Sequence, residues 1–129
     1  MNKLICAFSN NNGKNLTDKH FGDAEFYDIY EISDSDSKFI KKIKNSSGKG
    51  SGHMDEKKAK GVSEILKESG VKIVISKRFG PNILRIKSKF VCVILSIDEI
   101  NESIKIVQNN LPEILSEWEK GENRSYLKY

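Results

Sequence analysis

The sequence is poor in the residues that bind metals or form disulfides. It has two cysteines and two histidines in 129 residues. Cys6 and Cys92 do not form a Cys-x-x-Cys pair of the kind that zinc and redox motifs use. Each cysteine lies inside an apolar stretch, so we expect both thiols to be buried and reduced. The sequence thus predicts no cysteine-bound metal centre.

Long apolar runs are also missing. The start of the chain becomes polar at Ser9, before the apolar core of a signal peptide could form. No apolar run approaches the roughly 20 residues that are needed to cross a bilayer. We therefore expect a cytoplasmic protein that does not contact a membrane.

Motifs of common enzyme classes are absent. Gly48-Lys49-Gly50-Ser51 lacks the Gly-x-x-x-x-Gly-Lys-[Ser/Thr] spacing of a phosphate-binding loop. There is no Gly-x-Ser-x-Gly elbow, and cysteines inside strands cannot easily reach a substrate. The first predicted strand has no carboxylate for a two-metal nuclease. These absences favour a binding protein over an enzyme.

Charge is only mildly biased. The chain has 22 Lys and Arg against 18 Asp and Glu, a net charge of +4. This excess suits an anionic ligand but is weaker than the concentrated basic field of a nucleic-acid-binding protein. The length fits one domain with its own core. We expect this domain over residues 1–110 and a helical extension with a polar tail over 111–129.

The spacing of apolar residues predicts an α/β fold. Strands are predicted over residues 4–8, 25–32, 38–44, 71–76 and 90–95. The last two are almost wholly apolar, which is typical of central parallel strands that helices cover on both faces. The lysines of 38–44 indicate a strand at the edge of the sheet.

Helices are predicted between and after these strands. One begins at Asp55 and ends at Gly70, with Ala59, Val62, Ile65 and Leu66 on its apolar stripe. A short helix opens at residues 80–82, where proline suits the first turn. Ser96 and Glu99 have the spacing of a capping box for a helix that carries Ile97, Ile100, Ile104 and Val107. A last helix runs from Pro112 through Trp118.

This order of elements brings several loops to one edge of the sheet. If the second strand is antiparallel, the other four strands all point the same way. The loops at 9–20, 45–53, 76–80 and 95–98 then leave the same edge. Open α/β sheets bind ligands at this carboxyl edge.

Both histidines end loops at that edge. His20 and His53 could each supply an imidazole to a metal, although two histidines do not complete a four-ligand zinc site. Lys77, Arg78 and the helix start at 80–82 would favour an anion. The alternative is that both histidines are ordinary turn residues and that the two cations are simply solvated.

Four segments together resemble the dinitrogenase iron-molybdenum cofactor biosynthesis family. That family includes small accessory proteins of nitrogenase cofactor assembly and the orange protein, which carries a molybdenum-copper-sulfur cluster. The resemblance covers about residues 3–108. The segments that carry it are Asp18-Lys19-His20-Phe21-Gly22-Asp23-Ala24, Ser51-Gly52-His53, Gly70-Val71-Lys72-Ile73-Val74-Ile75 and Phe79-Gly80-Pro81-Asn82.

The resemblance implies a ribonuclease H-like fold, with five strands in the order 3-2-1-4-5, strand 2 antiparallel and helices on both faces. It implies a non-enzymatic carrier of an anionic metal-sulfur cluster, iron-sulfur or molybdenum-containing, or of its precursor, acting with cofactor-assembly proteins. His20 is then the expected metal ligand and His53 the second. The implied cofactor-binding residues are His20, Phe21, Gly22, His53, Lys77, Arg78, Gly80, Pro81 and Asn82.

Two features depart from the family pattern. Lys77 and Arg78 stand where members commonly have small residues, and residues 111–129 have no counterpart. A second hypothesis therefore stays open, in which the chain is a regulatory or protein-interaction module that has kept the fold and lost the cluster. Its contact residues would be Trp118, Tyr126 and Tyr129.

Overall fold

The computed structural model describes residues 3–45 and 55–129. Within these ranges, six strands form one sheet in the order β3-β2-β1-β4-β5-β6. The strands are β1 (Leu4–Asn10), β2 (Phe26–Ile32), β3 (Ser37–Lys44), β4 (Ile73–Ser76), β5 (Val91–Ile94) and β6 (Leu127–Lys128). The α-helices are α1 (Asp55–Glu68), α2 (Ile83–Ile86), α3 (Ile100–Asn109) and α4 (Leu111–Glu119).

The sheet is mixed, as expected from the sequence. β2 pairs antiparallel with both β1 and β3, whereas β1, β4, β5 and β6 are parallel neighbours. The predicted order 3-2-1-4-5 is confirmed for the first five strands. The prediction of five strands is wrong, because the end of the chain adds β6 beside β5.

Helices cover both faces of the sheet. Successive strand residues point to opposite faces, and the buried apolar residues accordingly form two clusters. Cys6 and Phe8 belong to the cluster that includes α3 and α4. Ala7 and Cys92 belong to the cluster on the other face, with Leu66 of α1. The central strands are therefore buried on both sides.

The burial of both cysteines is confirmed. Neither side chain reaches solvent, and both sulfurs are free thiols. Burial raises the pKa of the Cys6 thiol and raises that of Cys92 to about 12. The reactive thiolate is therefore disfavoured at neutral pH.

The capping box predicted for α3 is wrong. The helix begins at Ile100 with Glu99 as its cap residue, and no side chain caps it. Instead, the Ile100 amide donates to the Lys14 carbonyl at 2.9 Å, so a loop from another part of the chain satisfies the helix start. Ile97 lies before the helix. The apolar stripe of α1 is also narrower than predicted, because Ile65 is exposed.

The end of the chain packs onto the domain. The guanidinium of Arg124 lies 4.1 Å from the Trp118 ring centroid, and the Lys72 ammonium lies 5.4 Å from it. Arg124 also donates hydrogen bonds to the carbonyls of Trp118 and Ser88, each at 3.1 Å. These contacts hold the segment that leads into β6, which the sequence did not suggest as a strand.

Two of the three residues that were proposed to contact a partner pack inside the protein instead. Trp118 and Tyr129 pack against the buried cluster, and the Tyr129 hydroxyl donates to the Glu113 carboxylate. Tyr126 alone of the three is largely exposed. In the described part of the chain, no helix has the length and apolar character to cross a membrane.

We predict that replacing Cys6 by alanine lowers the free energy of unfolding by about 1 kcal/mol, because it removes a buried sulfur from a packed core. Uptake of a metal-sulfur anion should not change. Cys92→Ala, on the opposite face, is the matched control for burial alone. Urea unfolding gives the stability. Loss of uptake by a folded Cys6→Ala protein would contradict the placement of this thiol.

Candidate functional site

Loops from three parts of the chain meet at the carboxyl edge of the sheet. The Phe21 amide donates to the Arg78 carbonyl at 2.8 Å, which joins the loop after β1 to the loop after β4. The Leu16 amide donates to the Asp98 carbonyl at 2.7 Å, which joins the first loop to the loop after β5. The three loops therefore form one continuous surface, as the strand directions predicted.

The fourth predicted loop is described only at its start. His53, the second predicted metal ligand, lies outside the described residues, as does Lys49. Asn82 lies in the turn Gly80–Asn82, but its side chain is also outside the description. The structure therefore gives positions for the remaining predicted site residues, which are His20, Phe21, Gly22, Lys77, Arg78, Gly80 and Pro81.

His20 stands at the start of a short 3-10 turn, Phe21–Asp23. Its side chain is 46% exposed, and its Nδ1 lies 4.0 Å from the nearer Asp23 carboxylate oxygen. The imidazole also lies over Gly80, because a Cβ built on that glycine would come within 2.5 Å of Nδ1. Gly80 has a φ of +69°, which disfavours a side chain there as well. Glycine is thus required at this position for two independent reasons.

Phe21 anchors the turn in the core. Its ring is buried and stacks on Phe79, with centroids 5.3 Å apart and an angle of 21° between the planes. It also contacts Tyr27, at 4.9 Å between centroids. A ligand at this edge would therefore meet the backbone of Phe21 and not its side chain.

Asn45 and Tyr27 hold the same turn from the other side. The Asn45 amide nitrogen donates to the carbonyls of Gly22 and Ala24, at 2.9 and 2.8 Å, and to the Tyr27 hydroxyl at 3.2 Å. The Tyr27 hydroxyl in turn donates to the Phe21 carbonyl at 2.7 Å. The sequence places Asn45 in a Gly/Ser linker, but the residue is buried. The one feature of the sequence that indicates a structural role for Asn45 is its position directly after a strand.

Lys77 does not offer the free positive charge expected from the sequence. Its ammonium lies 2.5 Å from a carboxylate oxygen of Asp18 and 2.5 Å from one of Asp98. These hydrogen bonds raise the pKa of Lys77, and the one from Lys77 lowers the pKa of Asp18. Because the folded pKa of Asp18 lies below its ordinary value, the pair stabilises the fold at neutral pH and loses this effect as the pH falls below about 4.

Arg78 is, with Lys19, a cation of this edge that stays available. Its side chain is exposed and forms no ion pair among the described residues. Residues 18–23, 77–79 and 95–98 together hold three cations, Lys19, Lys77 and Arg78, and three carboxylates, Asp18, Asp23 and Asp98. These segments of the edge therefore carry equal numbers of positive and negative side chains.

The helix start at Gly80 to Asn82 is also weaker than expected. The 3-10 turn Gly80–Asn82 leads into α2, which has only four residues. So short a helix cannot sum the peptide dipoles that make a helix end attract anions. Pro81 is exposed in this turn, and Gly22 has open space around it. Both can be approached by a ligand from solvent.

Among the described residues of this edge, His20 can supply one coordinate bond to a metal, but the side chains around it do not form a closed metal centre. Among the described residues, no group of three or more His, Cys, Asp and Glu side chains is placed to hold a metal ion. One exposed imidazole can still bind a preformed cluster, because inorganic sulfides fill the other positions around its metals. The residues therefore fit a cluster that arrives already assembled.

A surface depression of about 310 Å³ lies at the other end of the strands, opposite the carboxyl edge of the sheet. It surrounds the turn between β2 and β3 and carries both signs of charge. Its lining residues are Lys3, Glu31, Ser33, Asp36, Ser37 and Lys38. Because it is remote from the loops that gather around His20, it is not part of the candidate site.

The comparisons with known proteins concern this same region. The family model for dinitrogenase iron-molybdenum cofactor matches residues 2–111. The match spans β1 to β5 and every candidate site residue, and it ends at the first residue of α4. The search of curated proteins found no match.

We predict that Gly80→Ala lowers the free energy of unfolding by at least about 1 kcal/mol, because the new side chain is strained at positive φ and meets the imidazole. The His20 ring resonances should shift in the NMR spectrum. Gly22→Ala is the matched control, since a Cβ there meets nothing within 4 Å, and its effect should stay within about 0.5 kcal/mol. Equal effects of the two changes would show that His20 does not rest on Gly80.

Proposed function

The chain belongs to the dinitrogenase iron-molybdenum cofactor family, and from this premise we propose that it binds and carries an anionic metal-sulfur cluster or its precursor. Membership fits a role in the biosynthesis or binding of the iron-molybdenum cofactor. The finer proposal is a transient carrier, without catalysis, on a ribonuclease H-like scaffold. The cluster is its cargo.

The observation that carries the proposal is the setting of His20. The imidazole is exposed, whereas the residue after it is anchored by the stack of Phe21 on Phe79. The ligand is therefore held in place by the core without being buried in it. A side chain in this setting can enter and leave the coordination sphere of a cluster without unfolding the domain.

The charged side chains around His20 favour a bound cluster with a modest negative charge. Arg78 is the nearest candidate for neutralising a bound anion, since its backbone pairs with that of His20 in a parallel bridge. Lys77 instead joins the loops through Asp18 and Asp98. His53 remains the predicted second ligand, on sequence grounds alone.

A non-catalytic role is consistent with the chemistry of the edge. Both thiols lie within the core, and their pKa values are raised. At this edge His20 is the one described imidazole, and the nearest carboxylate oxygen of Asp23 lies 4.0 Å from its Nδ1, beyond hydrogen-bond distance. We propose binding and release as the whole activity.

The alternative is a regulatory module without a cluster. It has less support, because Trp118 and Tyr129 of its proposed contact surface pack within the protein. Purification without oxygen from the native host, followed by metal and sulfide analysis, separates the two functions. A carrier would retain molybdenum or iron with sulfide, and a regulatory module would not.

We predict that His20→Ala lowers uptake of tetrathiomolybdate by at least about tenfold, because one coordinate bond is lost. Stability should change by no more than about 0.5 kcal/mol, as is usual for an exposed side chain. Tyr126→Ala, which removes an exposed and uncharged side chain outside this edge, is the control. Anaerobic absorbance titration and thermal unfolding measure the two effects; full uptake with a lowered melting temperature would contradict the proposal.

We further predict that Arg78→Ala and Lys77→Ala, which change the net charge equally, act differently. Arg78→Ala should weaken tetrathiomolybdate binding and reduce its salt dependence. Lys77→Ala should chiefly destabilise the fold, because it leaves Asp18 and Asp98 without their shared partner. Titrations at two salt concentrations and urea unfolding of both variants test this. The reverse pattern would show that Lys77 faces the ligand.

A further inference from the structure

The edge strand β3 has an unusual surface. It is eight residues long and stands at the end of the sheet, so among the described strands it has a neighbour, β2, on one side only. Nearly all of its residues are exposed. A strand in this position presents unpaired backbone groups that another extended chain can use.

Apolar side chains are exposed on this strand. Phe39 is 49% exposed and Ile40 is 43% exposed. Phe39 touches Tyr30 edge to face, with centroids 5.5 Å apart, and about half of the residue remains exposed to solvent. A register shift in the pairing with β2 leaves Ile40 without an opposite residue. An edge that served only to repel other chains would not need two large apolar groups next to each other.

The charge of the strand has a single sign. Its sequence, Ser-Lys-Phe-Ile-Lys-Lys-Ile-Lys, holds four lysines and no acid. Lys42 is the one that forms an ion pair within the described residues, with Asp28 at 2.7 Å. Lys38, Lys41 and Lys44 are exposed and keep their charge for a partner. The strand therefore favours a partner of negative charge.

We infer that β3 binds an extended acidic segment of a partner protein, which adds to the sheet as a further strand. The segment would pair along Lys41 to Lys44, the part of β3 beyond the register shift, and its carboxylates would face the lysines. Phe39 and Ile40 would bury apolar side chains of the segment. This surface is separate from His20 and does not depend on the cargo.

Two other occupants fit the surface less well. A second copy of this chain would bring β3 against β3 and place lysines opposite lysines, which is repulsive. Single-stranded nucleic acid would need several open aromatic rings for stacking. Here the Lys42 ammonium lies 4.9 Å from the Phe26 ring centroid, and Tyr30 is partly covered by Phe39. The acidic segment uses both the charge and the strand edge.

The test uses metal-free protein, so its outcome is independent of cluster binding. The probe is a labelled eight-residue peptide of repeated glutamate-glutamate-valine, which presents carboxylates on both faces, because Lys41 and Lys44 lie on opposite faces of the strand. A peptide with lysine in place of glutamate and an eight-nucleotide oligothymidine are the comparison probes. Fluorescence anisotropy gives the affinities, and amide hydrogen exchange locates the binding.

We expect the glutamate peptide to bind and to slow amide exchange in residues 37–44. The double change Lys41→Glu, Lys44→Glu should weaken binding by roughly tenfold or more, since two attractive pairs become repulsive. Lys89→Glu, Lys128→Glu is the matched control, with the same change in net charge on exposed residues remote from β3. Phe39→Ala should weaken binding several-fold.

The following results would overturn the inference. They are equal loss of binding in the control variant, equal binding of the lysine peptide, tighter binding of the oligothymidine, and concentration-dependent dimers that protect β3 without peptide. No binding of the glutamate peptide to the wild-type protein would overturn it as well.

Discussion

The packing of Phe21 against Phe79 is the contact on which the carboxyl edge depends. It joins the loop after β1 to the loop after β4, and the hydrogen bond from the Phe21 amide to the Arg78 carbonyl fixes their register. His20 and Arg78 are then placed side by side, each with its side chain towards solvent. The apolar pair provides the rigidity, and the exposed polar pair is free to bind.

At this edge, one cation is paired with carboxylates of the protein and the next one is not. Lys77 is held by two carboxylates from different loops, so its charge is compensated within the edge. Arg78, one residue later, is exposed and forms no ion pair among the described residues, although its charge also lowers the pKa of Asp18. The two neighbouring cations therefore differ in how firmly each is held. The proposed site would bind an anion through one imidazole and one guanidinium, which suits a cargo that must be released again.

Much of this could be predicted from local sequence. Apolar runs define β1, β4 and β5, and the alternation around Phe26 and Tyr30 defines β2, whereas the order of the first five strands came from the family resemblance. The rest depends on contacts between distant residues. The start of α3 is satisfied by Lys14, Lys77 is neutralised by Asp18 and Asp98, and β6 depends on Arg124 packing against Trp118. No local pattern reports such pairings.

The most direct test of the central claim is an anaerobic NMR titration of the ¹⁵N-labelled protein with tetrathiomolybdate. The account predicts that amide shifts concentrate in residues 20–23 and 78–80 and that the His20 ring resonances move with them. Residues 91–94 around Cys92 and the edge strand 37–44 should stay unchanged. Shifts centred on either of those strands, with residues 20–23 unaffected, would contradict the placement of the binding site.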